Sequence, residues 1–168
     1  MNSVQHHRSQ APSSIGCAVV TISDTRTWET DTGGRTVVER LLAAGHEVHR
    51  RDLIPDDRQL LRERLQCFRK EPAIQVVLIT GGTGIGRRDQ TYETVCELLT
   101  KPLPGYGELF RMLSYGEIGA AAMLSRAVGG LMGSRVVLTM PGSPAAVRLA
   151  MDRVILPELG HLVREAHR

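Results

Sequence analysis

From Val76 to Ile79 the chain carries no polar side chain, and the run that starts at Ile74 ends in Thr80-Gly81-Gly82-Thr83-Gly84. A strand that alternates apolar and polar residues can face water on one side, whereas an unbroken apolar run of this length must be covered on both faces. That condition is met by the inner strands of a parallel sheet with helices above and below. The flanking segments agree. Gly16 to Ile22 is a short β-rich run, and Thr36 to Ala44 has helical spacing through Val37, Val38, Leu41 and Leu42 and stops at Gly45. Glu47 to Ile54 reads as a second strand, Gln59 to Phe68 as a helix with Leu60, Leu61, Leu65 and Phe68 on one face, and Ile74 to Thr80 as a third strand. The order βαβαβ is the signature of a parallel sheet.

Beyond the glycines the pattern predicts a helix over Tyr92 to Leu99, a turn-rich connection over Pro102 to Gly107 and a helical segment over Glu108 to Ser114. Ala120 to Ala127 fits helix or strand by period. Arg135 to Met140 is a strand, and Ala145 to Leu162 a long helix that Pro157 should kink or divide.

The loop after Ile79 joins flexible backbone to Arg87, Arg88 and Asp89. Glycines let backbone N–H groups approach an anion closely, and a helix beginning near Thr91 adds its positive end. A Walker A loop would end in Gly-Lys-Ser/Thr, where this chain has Gly86-Arg87-Arg88, and a dinucleotide fingerprint counted from Gly82 would need glycine at Arg87. A tight strand-to-helix turn, with Asp89 as a cap, is the structural alternative. In a doubly wound sheet ligands bind outside the carboxyl ends of the strands. Four such loops are polar or glycine-bearing: Ser23-Asp24, Pro55-Asp56-Asp57, Gly81 to Asp89, and Pro141-Gly142-Ser143-Pro144. Ser143 and Pro144 also read as an ordinary helix start, and Asp56 as a cap with Asp57 solvated.

With 168 residues, 42% of them hydrophobic, the chain suits one domain over 15–168, preceded by a disordered tail over 1–14. A net charge of +3 with only 4% aromatics offers no basic stripe with stacking rings, which argues against nucleic acid and for small anions. Cys17, Cys67 and Cys96 are far apart and lack metal-ligand spacing, His6 and His7 sit in the tail, and His46 and His49 have no carboxylate partner at a fixed offset and read as solvated or capping. A reducing cytoplasm is expected. Met1 to Ser14 has no signal-peptide core, and no stretch approaches the roughly eighteen apolar residues of a membrane span.

Eight ordered blocks then carry a resemblance: Ser23-Asp24-Thr25-Arg26-Thr27, Asp31-Thr32-Gly33-Gly34, Leu53-Ile54-Pro55-Asp56, Thr80 to Gly84, Arg88-Asp89-Gln90-Thr91, Pro104-Gly105-Tyr106-Gly107-Glu108, Met123-Leu124-Ser125-Arg126-Ala127 and Met140-Pro141-Gly142-Ser143-Pro144. From about Ile15 to Leu162 the chain resembles the MoaB/MogA family of molybdenum cofactor biosynthesis, and Phe110 to Ser114 with Glu117-Ile118-Gly119 looks like the MoaB branch. The resemblance implies a three-layer α/β/α sandwich around a mostly parallel sheet, assembled as trimers or hexamers. It also implies a molybdopterin adenylyltransferase, which moves AMP from MgATP to the terminal phosphate of molybdopterin, releases pyrophosphate and hands the product to a molybdate-inserting MoeA-type partner.

Carried over by position, Asp56 and Asp89 are the catalytic and magnesium-binding carboxylates. Gly81, Gly82, Thr83 and Gly84 form the molybdopterin loop, and Ser23, Asp24, Glu108, Ser114, Ser125, Gly142 and Ser143 complete the substrate contacts. Arg87 or Arg88 is a candidate for the leaving pyrophosphate. The family's proline after Arg-Asp-x-Thr is Tyr92 here, while the aspartate is kept. The competing reading is a non-catalytic molybdopterin carrier or scaffold.

Overall fold

A computed structural model describes residues 12–168; most of the expected tail, with His6 and His7, lies outside the described residues. The elements run β1 (Gly16–Ile22), α1 (Thr32–Ala43), β2 (Glu47–Ile54), α2 (Arg58–Lys70), β3 (Val76–Thr80), α3 (Thr91–Leu98), β4 (Lys101–Pro102) and α4 (Pro104–Ile118). A 3₁₀ segment (Gly119–Leu124) leads to β5 (Gly129–Met132) and β6 (Arg135–Met140). The chain ends in α5 (Pro144–Ala150), a π-helical turn (Met151–Ile155) and α6 (Leu156–Ala166).

The sheet order is β2-β1-β3-β6-β5-β4. β1, β2, β3 and β6 are parallel, and β5 and β4 add an antiparallel edge. Alternate residues of the buried strands feed two separate cores. Cys17, Val19, Val76 and Leu78 pack with Val37, Leu41, Phe110 and Val147 from α1, α4 and α5. Ala18, Val20, Val77 and Ile79 pack with Leu61, Leu65, Phe68 and Val95 from α2 and α3. The result is the three-layer sandwich, and it explains why β3 has no polar face. Ile79 is wholly buried, so Ile79→Val should cost about 0.5–1.5 kcal/mol, read as a lower midpoint in urea unfolding with an unchanged slope.

Several boundaries differ from the sequence reading, each for a tertiary reason. α1 begins at Thr32 rather than Thr36, because the buried Asp31 carboxylate accepts from Gly34 N (2.9 Å), from the Thr21 hydroxyl (2.9 Å) and from Arg51 (3.0 Å). A Cβ at Gly34 would collide with Asp31 and Thr21, so this glycine serves the cap instead of breaking the helix. α4 starts with Pro104 at its first turn and runs through the expected turn at 102–107 to Ile118. Residues 120–127 resolve into the 3₁₀ segment and an extended exit. β5 carries no strand signal in its Gly129-Gly130 pair; a Cβ at Gly129 would lie 2.5 Å from Leu138 and 3.0 Å from Tyr106, so the strand needs the missing side chain to pass. Pro157 divides the last helix as expected, and the widened turn just before it absorbs the missing N–H.

The capping assignments are corrected too. Asp57, not Asp56, caps α2 through Leu60 N (2.9 Å). Asp89 does not cap α3, whose N-cap Gln90 makes no side-chain cap bond. Ser143 caps α5 through Ala146 N (3.3 Å) as read. Among the described residues no helix is long and apolar enough to cross a membrane.

Candidate functional site

β1, β3 and β6 end side by side, and the glycine loop is clamped among them. Gly81 N donates to Met140 O at 3.0 Å. Gly81 and Gly82 adopt φ of 98° and 63°, a region that costs other residues steric strain. A Cβ on Gly81 would run into Ile22 O, and one on Gly82 would strike the Thr91 hydroxyl and lie 2.8 Å from Asp56 Oδ2. Both positions therefore require glycine. Thr91 N donates to Gly82 O (3.1 Å), and Gly86 N to Asp89 Oδ2 (2.8 Å). Among the described residues the N–H groups of Gly82, Thr83 and Gly84 have no protein acceptor.

These groups border a cavity of about 410 Å³. Gly81, Gly82, Thr83, Gly84 and Asp89 form one wall, Ser114 and Phe110 from α4 another, and Ser125, Gly142 and Ser143 the rest. Thr83 and Ser114 are buried. Nine of the sequence-derived site residues thus share one space: Gly81, Gly82, Thr83, Gly84, Asp89, Ser114, Ser125, Gly142 and Ser143.

The others lie around it. Ser23 lines a second cavity of about 300 Å³ with Arg26, Asp31 and Thr80, which shares Gly142 and Ser143 with the first. Its hydroxyl accepts from Thr25 N (3.2 Å) and Arg26 N (3.1 Å). Glu108 is separated from the glycine loop and faces a cavity of about 590 Å³ beside Tyr92, Arg111 and Arg126, joined to the first only through Ser125.

Asp24 is gripped by Arg88, with Nε at 2.7 Å and Nη2 at 3.0 Å, and accepts from Asp56 N (3.0 Å). The Arg88 hydrogen bonds hold the Asp24 carboxyl below the usual range. Arg88 is thereby committed to a side chain of its own protein. Asp56 stands behind Gly82, its Oδ1 accepting from Gln90 N at 3.2 Å. Burial raises its pKa above the ordinary 3.8, Gln90 N–H opposes the rise, and the charges of Asp89 and Asp24 add to it. Since the native state then holds its proton above 3.8, the Asp56 contribution to stability falls as pH rises through that window. Removing one repelling charge should move the titration back toward 3.8 without reaching it, because burial is the larger cause. Carbon NMR of the Asp56 carboxyl, in the unmodified chain and in Asp89→Asn, measures that shift.

Asp56 Oδ2 and Asp89 Oδ1 accept no hydrogen bond among the described residues, and no group of three or more His, Cys, Asp or Glu converges there. Such a donor set suits magnesium carried in on phosphates, which needs only one or two protein carboxylates.

Sequence reasoning assigned no role to Arg126 or Phe110. Arg126 stands in the Met123-Leu124-Ser125-Arg126-Ala127 stretch, where a lone arginine next to an apolar segment is the signal it gives. Trp28, half-exposed in the loop after β1, lies against Arg51, whose guanidinium is 5.1 Å from the ring while pairing with buried Asp31.

Residues 18–161 match the profile of the probable molybdopterin binding domain. The chain belongs to the MoaB/MogA family of molybdenum cofactor biosynthesis proteins. It is 52% identical over 167 residues to the molybdenum cofactor biosynthesis protein B of Bacillus cereus, covering 99% of each chain. A crystal structure of a molybdenum cofactor biosynthesis protein B superposes with a TM-score of 0.90 at 52% identity, covering 95% of this chain and 99% of that one. The tungsten cofactor synthesizing MoaB of Pyrococcus furiosus gives a TM-score of 0.82 at 34% identity over 94% of this chain and 100% of its own. Family membership thus agrees with the sheet order and spans the whole described site.

Proposed function

We propose that the protein binds molybdopterin with its terminal phosphate on the glycine loop and adenylylates it with MgATP, before molybdate insertion by a MoeA-type partner in the cytoplasm. The observation that carries this reading is the set of three N–H groups, of Gly82, Thr83 and Gly84, that have no acceptor among the described residues and stand on one wall of a 410 Å³ cavity. Backbone donors suit a phosphate, and the remaining volume beside Phe110 suits a flat ring system.

In the reaction an oxygen of the molybdopterin phosphate forms a bond to the α-phosphorus of ATP, the bond from that phosphorus to the β-phosphate bridging oxygen breaks, and pyrophosphate leaves with the electron pair. Two anions must meet, so the loop amides lower the charge on the acceptor phosphate. Asp89, on the cavity wall, and Asp56, close enough to be repelled by it, hold the magnesium that arrives with ATP. With Arg88 bound to Asp24, the exposed Arg87 is the better-placed cation for pyrophosphate.

Titration of the purified protein with molybdopterin and with its dephosphorylated form tests the binding mode. At least a tenfold preference for the phosphorylated ligand is expected, each charged hydrogen bond contributing about 1.5–3 kcal/mol. Equal affinities would remove the glycine loop from the site. A carrier that binds without transferring remains the second reading, favoured by the recessed position of Asp56 and separated from the first by the transfer assay alone.

We infer a trimer or hexamer as well. Leu109, Met112, Tyr115, Ile118 and Met123, on α4 and the 3₁₀ segment, are between 50% and 76% exposed, and apolar side chains exposed in this number along one helix and its exit mark a region of association. Light scattering should give three or six times 18.5 kDa. A single-chain mass at micromolar concentration would reject the assembly.

A further inference from the structure

Arg126 touches the glycine loop from outside the cavity. Its backbone N–H donates to Thr83 O (3.2 Å), Nε to Gly84 O (2.7 Å) and Nη2 to Asp89 O (3.0 Å), while Nη1 pairs with Glu93 in the first turn of α3. The guanidinium lies 5.2 Å from the Tyr92 ring centroid. One residue therefore ties down both ends of the 83–89 segment and the helix that follows.

The trans peptide makes this consequential. Within each planar unit the C=O and the N–H point to opposite sides. Holding Thr83 O toward Arg126 turns the Gly84 N–H away from it, and the Thr91 bond to Gly82 O does the same for the Thr83 N–H. Two of the three unclaimed donors thus owe their direction to loop carbonyls held by the backbone N–H groups of Arg126 and Thr91. Arg126 lines the neighbouring 590 Å³ cavity and not the one at the loop, so it acts without facing the ligand.

We propose that Arg126 is a positioning residue for the anion loop: its backbone N–H aims the Thr83-Gly84 peptide, while its planar fork holds the Gly84 and Asp89 carbonyls and with them Asp89 at the cavity wall, with Tyr92 against the guanidinium. This deepens the adenylyl-transfer reading and rests on it for its effect on rate. Five N–H donors in a rigid plane allow two carbonyls and a carboxylate to be served together; a lysine ammonium keeps the charge but not that geometry.

The test uses the full chain with Arg126→Lys and Tyr92→Leu, the second variant serving if the first folds poorly. Deuterium uptake over 82–91, where the amides of Gly86, Asp89, Gln90 and Thr91 are bonded, is read beside uptake over β3. About tenfold faster exchange in the loop with β3 unchanged is expected, together with a fall in kcat of up to ~10²-fold at nearly constant KM for ATP. Unchanged loop exchange in both variants, or faster exchange with undiminished kcat, overturns the proposal, as does a lysine variant equal to the parent in both. If the unmodified protein transfers no adenylyl group, the function reading fails, and loop exchange still decides whether Arg126 positions the loop.

Discussion

Asp89→Asn and Asp56→Asn are each expected to lower adenylyl transfer by ~10²-fold or more, the scale of removing one electrostatic group from a transition state, while molybdopterin affinity changes little. Asparagine keeps an oxygen where Asp89 accepts from Gly86 N and where Asp56 accepts from Gln90 N, so the loop should hold its shape. What is lost is negative charge for the magnesium that accompanies ATP. The two sites differ in position. Asp89 borders the cavity, and its loss should act directly. Asp56 sits behind Gly82, and its neutralisation also relieves the repulsion it shares with Asp89 and Asp24, so its variant should be the milder of the two. Steady-state transfer rates and equilibrium binding of molybdopterin, measured for both variants, separate these effects. Full activity in both would withdraw the metal assignment.

Gly82→Ala should instead weaken binding. At φ 63° an alanine pays strain of about 1–3 kcal/mol, and its Cβ cannot be placed without displacing the Thr91 hydroxyl or the Asp56 carboxylate. The displaced loop loses the alignment of the Gly82, Thr83 and Gly84 amides. With two such donors lost at about 1.5 kcal/mol each, affinity for molybdopterin should fall ~10²-fold. Calorimetric titration together with a thermal melt distinguishes this from unfolding: the protein should still melt cooperatively, at a lower temperature. Parent-like affinity would mean that these amides do not hold the phosphate.

Much of this architecture was legible because the residues report burial directly. The apolar run of β3 demanded cover on both faces, and the two cores provide it. The glycine loop was legible because Thr80 to Gly84 follows that run without a gap, and nine residues drawn from five separate stretches meet in one cavity. What the sequence hid were matters of partnership. Nothing local tells that Asp31, and not a break at Gly33-Gly34, starts α1, or that Arg88 is spent on Asp24. Glu108 shares a block with Tyr106 and Gly107, yet the helix turns it into a different cavity. Arg126 is invisible for the same reason, since its acceptors are carbonyls more than thirty residues upstream.

The most direct measurement is a single-turnover reaction of the purified protein with molybdopterin, ATP and magnesium, following adenylylated molybdopterin and pyrophosphate together. The account predicts both products in equal amounts, dependent on magnesium and on Asp89. Molybdopterin bound at the glycine loop, with neither product formed, would contradict it and leave a carrier.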